Sequence, residues 1–535
     1  MAQIVLGPML RRVDESTAAV WVETDSPCRV GVLDASAATF TVHGHHYALV
    51  EVSGLAPGSV TPYTVTLDGR TAWPEADSEF PPPVIRTVNP DGDHRLVLGS
   101  CRVSADEQYG DARFGVDMLA AFAHQLAADG DGTRPDALLM LGDQVYADIP
   151  PEEVRQFIRD RRDVSVPPGE EIADFEEYAE LYRQSWAQPA VRWLLSTVPM
   201  LAIFDDHDLR DDWNTSMAWR DTMLKQPWWK RRVIAGLGSY WIYQHLGNMS
   251  PKDRAEDPLF AALRESDGDG AAALDEFAWR AWEDSTSVRW SFQQEFGGTR
   301  LIMLDSRCAR DLTPRKRRIV DEPEWDWFRE QATAECDQLL IASSVPVLLP
   351  TGLHYVESWN EAVCDGVWGK TFAKLAEKIR QTIDLEHWGA FRESFQRMSF
   401  LIMERVRGNW GKAPAAVVFL SGDVHYSYLA KARIRSARGM VHQVTCSAIR
   451  HPLPRLLRWA NVVGSVRVAG IFGYLLARLA RVHRTPFSWR MNRGPWFDNA
   501  LATVDLSGRK TRARWHTASV AEPKRLRELG SAELS

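Results

Sequence analysis

The sequence predicts an α/β body of two packed β-sheets flanked by helices, preceded by a separate all-β sandwich. Three observations carry that prediction. Residues 1–88 contain short alternating apolar runs, at 19–23, 29–33, 47–52 and 63–67, separated by turn-forming residues, which is the signature of an antiparallel sandwich. Beyond residue 94 the pattern changes to apolar runs at 95–99, 137–141 and 200–204 with helical stretches between them, as expected for parallel strands covered by helices. Further apolar runs at 301–304, 339–342, 416–420, 441–445 and 500–504 provide a second sheet to pack on the first.

The connecting segments follow from local chemistry. Pro81-Pro82-Pro83 and the turn-rich 89–93 read as the linker between two domains. A helix is expected over 114–128 and more helix across the charged region 151–195, while 265–270 reads as an exposed loop. The expected boundaries are a sandwich at 1–88, a catalytic domain at 94–517 and a C-terminal tail at 518–535. Between 452 and 484, apolar residues such as Leu456, Trp459, Val463 and Phe472 alternate with Arg455, Arg458, Arg467, Arg478, Arg481 and Arg484. This basic amphipathic stretch is expected to form a helical lid or insertion over the site; its composition also permits weak contact with a membrane surface.

Composition narrows the function classes. At 535 residues the chain exceeds what one core serves, and 45% hydrophobic with 25% charged residues is a globular balance, not that of a disordered protein. A net charge of -8 argues against a nucleic-acid partner, whose affinity would rest on basic side chains. The six cysteines show no CxxC pairing, so free thiols are expected rather than a disulfide frame or a zinc ribbon. The first 22 residues lack a secretory apolar core and no run of about 18 uncharged apolar residues occurs, so the expected location is cytoplasmic. No obligate protein partner is inferred.

Four of the predicted strands end in residues of metal-binding type: Gly99-Ser100-Cys101, Gly142-Asp143-Gln144-Val145-Tyr146, Asp205-Asp206-His207-Asp208 and Gly422-Asp423-Val424-His425. Ligands gather beyond the carboxyl ends of strands in α/β sheets, and glycine there lets the chain turn sharply around a bound group. One Gly-Asp after a strand is an ordinary turn; four such ends can converge on one site.

In this order the four clusters resemble the PhoD-like alkaline phosphatases of the calcineurin-like metallophosphoesterase superfamily, in which Gly-Ser-Cys, Gly-Asp-x-x-Tyr, Asp-Asp-His-Glu/Asp and Gly-Asp-x-His succeed one another. The resemblance spans roughly 94–450 and extends to Phe497-Asp498-Asn499. It implies a ferric ion (Fe3+) with one or more calcium ions (Ca2+), and hydrolysis of phosphomonoesters or phosphodiesters by in-line attack of metal-bound hydroxide. Position by position it assigns Cys101, Asp143, Tyr146 and His425 to iron, with Asp143 bridging to a second site completed by Asp206 and Asp423. Ligand chemistry agrees: thiolate, phenolate and carboxylate favour a trivalent ion, while oxygen-only donors suit calcium or another hard divalent metal.

The same resemblance makes His207 the acid that protonates the leaving oxygen, with Asp208 or Asp205 orienting its ring. Arg210, Asn214 and Arg307 are the candidates for holding substrate. Arg307 lies in Asp305-Ser306-Arg307, for which a buried ion pair is the alternative, and His354 is either a further ligand or a structural histidine. Two departures bear on substrate preference: carboxylates and Arg210 stand where family members place asparagines after the third motif, and Trp388-Gly389-Ala390-Phe391 replaces Trp-Asp-Gly-Phe/Tyr. The rival readings are a membrane-surface phosphodiesterase acting on lipid or polymer headgroups, and a non-catalytic binding protein that retains the fold. The intact ligand set argues against the latter.

Overall fold

The computed structural model describes residues 1–104, 114–453 and 467–535. At the N-terminus two four-stranded antiparallel sheets form, ordered Ile4–Val13, Ala18–Thr24, His45–Val52, Phe40–Val42 and Ala35–Ala38, Arg29–Val32, Val65–Leu67, Arg70–Trp73. Strand alternation sends Val20, Val22, Val30, Val32, Val50 and Val65 into the space between them. The opposite face of the first sheet is not solvated. Trp21 and Tyr47 pack on Tyr243 of the following domain, with ring centroids 5.3 and 5.7 Å away. The sandwich is thus cemented to the body, and the linker itself contributes a strand, Val84–Arg86, paired with Val60–Pro62. The loop at 266–270 completes the joint, since Asp269 accepts hydrogen bonds from the His43 and Gly44 amides at 2.9 and 2.8 Å.

The body is built on two seven-stranded mixed sheets. In the first, Met200–Ile203, Ala137–Leu141 and His94–Arg102 run parallel; Leu501–Ser507, Lys510–Ser519 and Glu522–Glu533 continue antiparallel, and Ala448–Arg450 also pairs with His94–Arg102. The second is ordered Phe292–Phe296, Thr299–Met303, Gln338–Ala342, Ala416–Ser421, Met440–Thr445, Ser427–Arg433, Ser488–Trp496. The central strands, such as Ala137–Leu141, Met200–Ile203 and Gln338–Ala342, are buried on both faces and read as largely apolar runs. Leu96, Leu98, Leu139, Leu141 and Ile203 point at the second sheet, whereas Val97, Leu138, Met140 and Ala202 point at helices.

Two expectations are corrected. The segment expected as a tail, 518–535, holds the edge strand Glu522–Glu533, whose charges face outward while Leu529 and Ala532 pack on the inter-sheet core. The helix expected over 114–128 begins at Met118, because Asp117 caps it by accepting from the Leu119 and Ala120 amides. Of the segment 452–484, residues 454–466, including Arg455, Leu456, Arg458, Trp459 and Val463, lie outside the described residues; the remainder contains the helix Arg467–Leu479. Among the described residues no helix is long and apolar enough to cross a membrane.

Candidate metal centre

Gly99-Ser100-Cys101 forms the carboxyl end of strand His94–Arg102, while the other three motifs begin within two residues of the ends of Ala137–Leu141, Met200–Ile203 and Ala416–Ser421, so three lie on the first sheet and the fourth on the second. They meet. The Asp423 amide donates to Ser100 Oγ at 3.3 Å, and the Cys101 thiol lies 3.9 Å from the Asp423 carbonyl oxygen. Cys101, Asp143, Asp423 and His425 all have left-handed backbones, with φ of +54°, +49°, +65° and +56°. For residues with a Cβ this costs of order 1–3 kcal/mol each, a strain that persists only where surrounding contacts enforce it. Gly142, at φ +98°, is required, since a Cβ there would collide with the Asp205 side chain.

Among the described residues, two sets of donors are close enough to share a cation: Asp143, Asp206 and His207, and Asp205, Asp206 and Asp423, the atoms of each set lying within 4.8 Å of one another. Asp206 belongs to both sets, and Asp143, the expected bridge, to the first. The Tyr146 hydroxyl is 3.5 Å from Asp143 and 3.0 Å from His451 Nδ1, and the His451 ring lies 4.6 Å from that of His425. Cys101 packs against Tyr146 in a small apolar cluster beneath them.

His207 is oriented by Asp148, at 2.9 Å from Nδ1, and not by Asp205 or Asp208. Burial opposes charge on this imidazole, yet Asp148 and then Asp143 raise its pKa well above the ordinary value. The Asp208 carboxylate is turned to the backbone, accepting from the amides of Gln144, Val145 and Asp205 at 2.9, 3.1 and 3.0 Å, so it ties the second motif to the third. Asp205 instead belongs to the carboxylate cluster.

Arg307, fully buried, binds four carboxylates: it donates to Asp205 and Glu386, and its Nη2 reaches Asp206 at 3.1 Å and Asp423 at 3.0 Å. The buried ion pair, offered above as the alternative to a phosphate contact, is what forms. Asn214 donates to the Arg307 carbonyl at 3.2 Å, and Arg210 is paired with Glu171 and stacked on Trp228. His354 is a core residue, its ring packed on Phe395 and Trp489 at 4.3 and 4.9 Å.

Sequence reasoning missed Asp148, Glu357, Glu386, His387 and His451. His387 bridges Glu357 and Asp423 through its two ring nitrogens at 2.7 and 2.8 Å. Its one signal was its place immediately before Trp388; Asp148 stood two residues beyond Tyr146 in the second motif.

The donor set fits a cation. Burial, reinforced in Asp143 by Asp205, pushes the Asp143 carboxyl well up and raises that of Asp206 to about 7 despite Arg307. One oxygen of buried Asp205 has no hydrogen-bond partner. Burial and the neighbouring carboxylates likewise push the Cys101 thiol and Tyr146 phenol far above their ordinary ranges, so both need an adjacent cation to become anionic ligands.

Residues 112–454 match the family model of PhoD-like phosphatase, and residues 1–85 match a domain of unknown function (DUF7800). The fold is similar to the solved structure of PhoD, at 12% identity and a TM-score of 0.57, covering 99% of this chain and 93% of that one. It is also similar to a purple acid phosphatase from yellow lupin (Lupinus luteus) seeds, at 9% identity and a TM-score of 0.50, covering 99% and 74%. No curated protein sequence matches the chain. The chain belongs to the PhoD-like phosphatase family and is a metal-dependent phosphoric ester hydrolase.

Proposed function

We propose that the strand-end cluster hydrolyses phosphomonoesters or phosphodiesters with Fe3+ held by Cys101, Asp143, Tyr146 and His425, and with Ca2+ or another hard divalent ion held by Asp143, Asp206 and Asp423. The observation that carries the reading is the gathering of Asp143, Asp205, Asp206 and Asp423 beside a buried thiol and phenol. Sulfur and phenolate donors suit the trivalent ion, and the oxygen-only set suits the harder one. When bound, the metals supply Lewis-acid polarisation of the phosphoryl oxygen and a water acidic enough to attack phosphorus in line with the leaving oxygen.

The side chains do the rest. Asp148 engages His207 Nδ1 and favours the imidazolium, leaving Nε2 to give its proton to the leaving oxygen. His387, braced by Glu357, fixes one oxygen of Asp423 while Arg307 fixes the other. Asp208 holds the second and third motifs in register through its three backbone hydrogen bonds. Arg307 acts on the ligands rather than on substrate, and Asn214 supports it from behind.

Metal analysis of the purified protein, combined with turnover on a nitrophenyl monoester and a bis(nitrophenyl) diester, tests the reading. Iron with a visible charge-transfer band that shifts or vanishes in Tyr146→Phe is the expected result. A colourless, iron-free protein with full turnover would overturn the assignment of iron.

A further inference from the structure

Helix Arg467–Leu479 is packed the wrong way round for a soluble surface helix. Its small residues face inward: Gly473 lies so close to helix Thr351–Cys364 that a Cβ would sit 2.8 Å from the Gly352 carbonyl oxygen, and Ala477, with Ala480 just beyond the helix end, is buried with Tyr355 and Val363. Its large residues face outward, with Ile471, Phe472, Leu475 and Leu479 each 55–70% exposed. The neighbouring helix Lys370–Thr382 adds exposed Phe372 and Leu375. Trp368 joins the two, donating to the Leu479 carbonyl at 3.2 Å and meeting the Phe372 ring edge-on at 6.0 Å. Apolar faces of this extent on a soluble chain mark an interaction site.

The charge around the face identifies the occupant. Lys370, Lys374, Lys378, Arg478, Arg481 and Arg484 lie on these two helices and the turn after the second, against Glu377 and Asp384, in a chain whose net charge is -8. Glu377 is already paired with Arg380. A second copy docking by a twofold axis would press this basic rim against itself. An apolar face edged by cations instead fits the headgroup boundary of an anionic bilayer, into which such a face sinks while Lys and Arg meet the phosphates. We propose that helices Lys370–Thr382 and Arg467–Leu479 form a peripheral docking face for anionic lipid membranes. The face is tied to the metal centre through helix Thr351–Cys364, which carries helix Arg467–Leu479 and also supplies Glu357 to His387.

The proposal stands apart from the hydrolytic reading, because its test does not need turnover. Flotation of the full chain with phosphatidylcholine vesicles, with and without phosphatidylserine, measures it directly. Binding is expected to the anionic vesicles, to weaken as salt rises, and to fall at least about tenfold in the triple variant Phe472→Ser, Leu475→Ser, Leu479→Ser. The charge variant Lys370→Gln, Lys374→Gln, Arg478→Gln should lose the preference for phosphatidylserine, and both variants should turn over a soluble nitrophenyl ester as the parent does. Absence of anionic-vesicle binding by the parent would overturn the proposal. So would self-association abolished by the serine substitutions, which assigns the face to a second copy, or altered kinetics on the soluble ester with vesicle binding unchanged, which makes the helix a lid.

Discussion

The Nδ1 atom of His207 lies 2.9 Å from one oxygen of Asp148 and 3.0 Å from the other. A general acid matters only as far as the leaving oxygen needs its proton, so His207→Ala should lower kcat on an alkyl phosphate by about 10²–10⁴-fold and on a nitrophenyl ester far less. Asp148→Asn should follow the same pattern with bound metal unchanged. Equal losses on both esters would make His207 a stabiliser of phosphoryl charge, and loss of metal would make it a ligand.

Arg307 is the counter-charge for Asp205, Asp206, Glu386 and Asp423. Removing one partner from a buried ionic cluster costs about 3–5 kcal/mol. Arg307→Met should therefore lower the urea midpoint strongly, and added divalent cation should recover more stability in the variant than in the parent. A variant as stable as the parent in the presence of chelator would show that the cluster is compensated by something other than Arg307.

A pH-dependent contact joins the sandwich to the body. His45 lies 2.9 Å from both Glu23 and Glu176; burial opposes its charge, but the two carboxylates raise its pKa above the ordinary value. A raised folded-state pKa contributes stability that is complete below the unfolded value of about 6.5 and is lost as pH rises through the folded value. His45→Gln should lower Tm below that pH and converge with the parent at alkaline pH. A constant Tm difference across the range would contradict the assignment.

The parts of this molecule legible in the sequence are those encoded over a few residues. An apolar run followed by Gly-Asp or Asp-Asp-His declares both a strand and the polar end that leaves it, which is why Cys101, Asp143, Asp206 and Asp423 were visible together. Asp148 was not, because nothing local pairs it with a histidine 59 positions away. His387 and Glu357 were hidden for the same reason, being brought to Asp423 by the packing of helix Thr351–Cys364. Glu522–Glu533 escaped notice because an edge strand with one solvated face can carry charges in place of an apolar run.

The most direct test of metal-dependent hydrolysis at this site is turnover of one phosphoester by the metal-loaded protein, by the same protein after chelation, and by Asp143→Asn. The account predicts activity that chelation abolishes and added metal restores, and a variant that folds normally but retains less than about a tenth of parental turnover, a loss of more than ~1.4 kcal/mol of transition-state stabilisation. Full turnover by metal-free protein, or by Asp143→Asn, would contradict it.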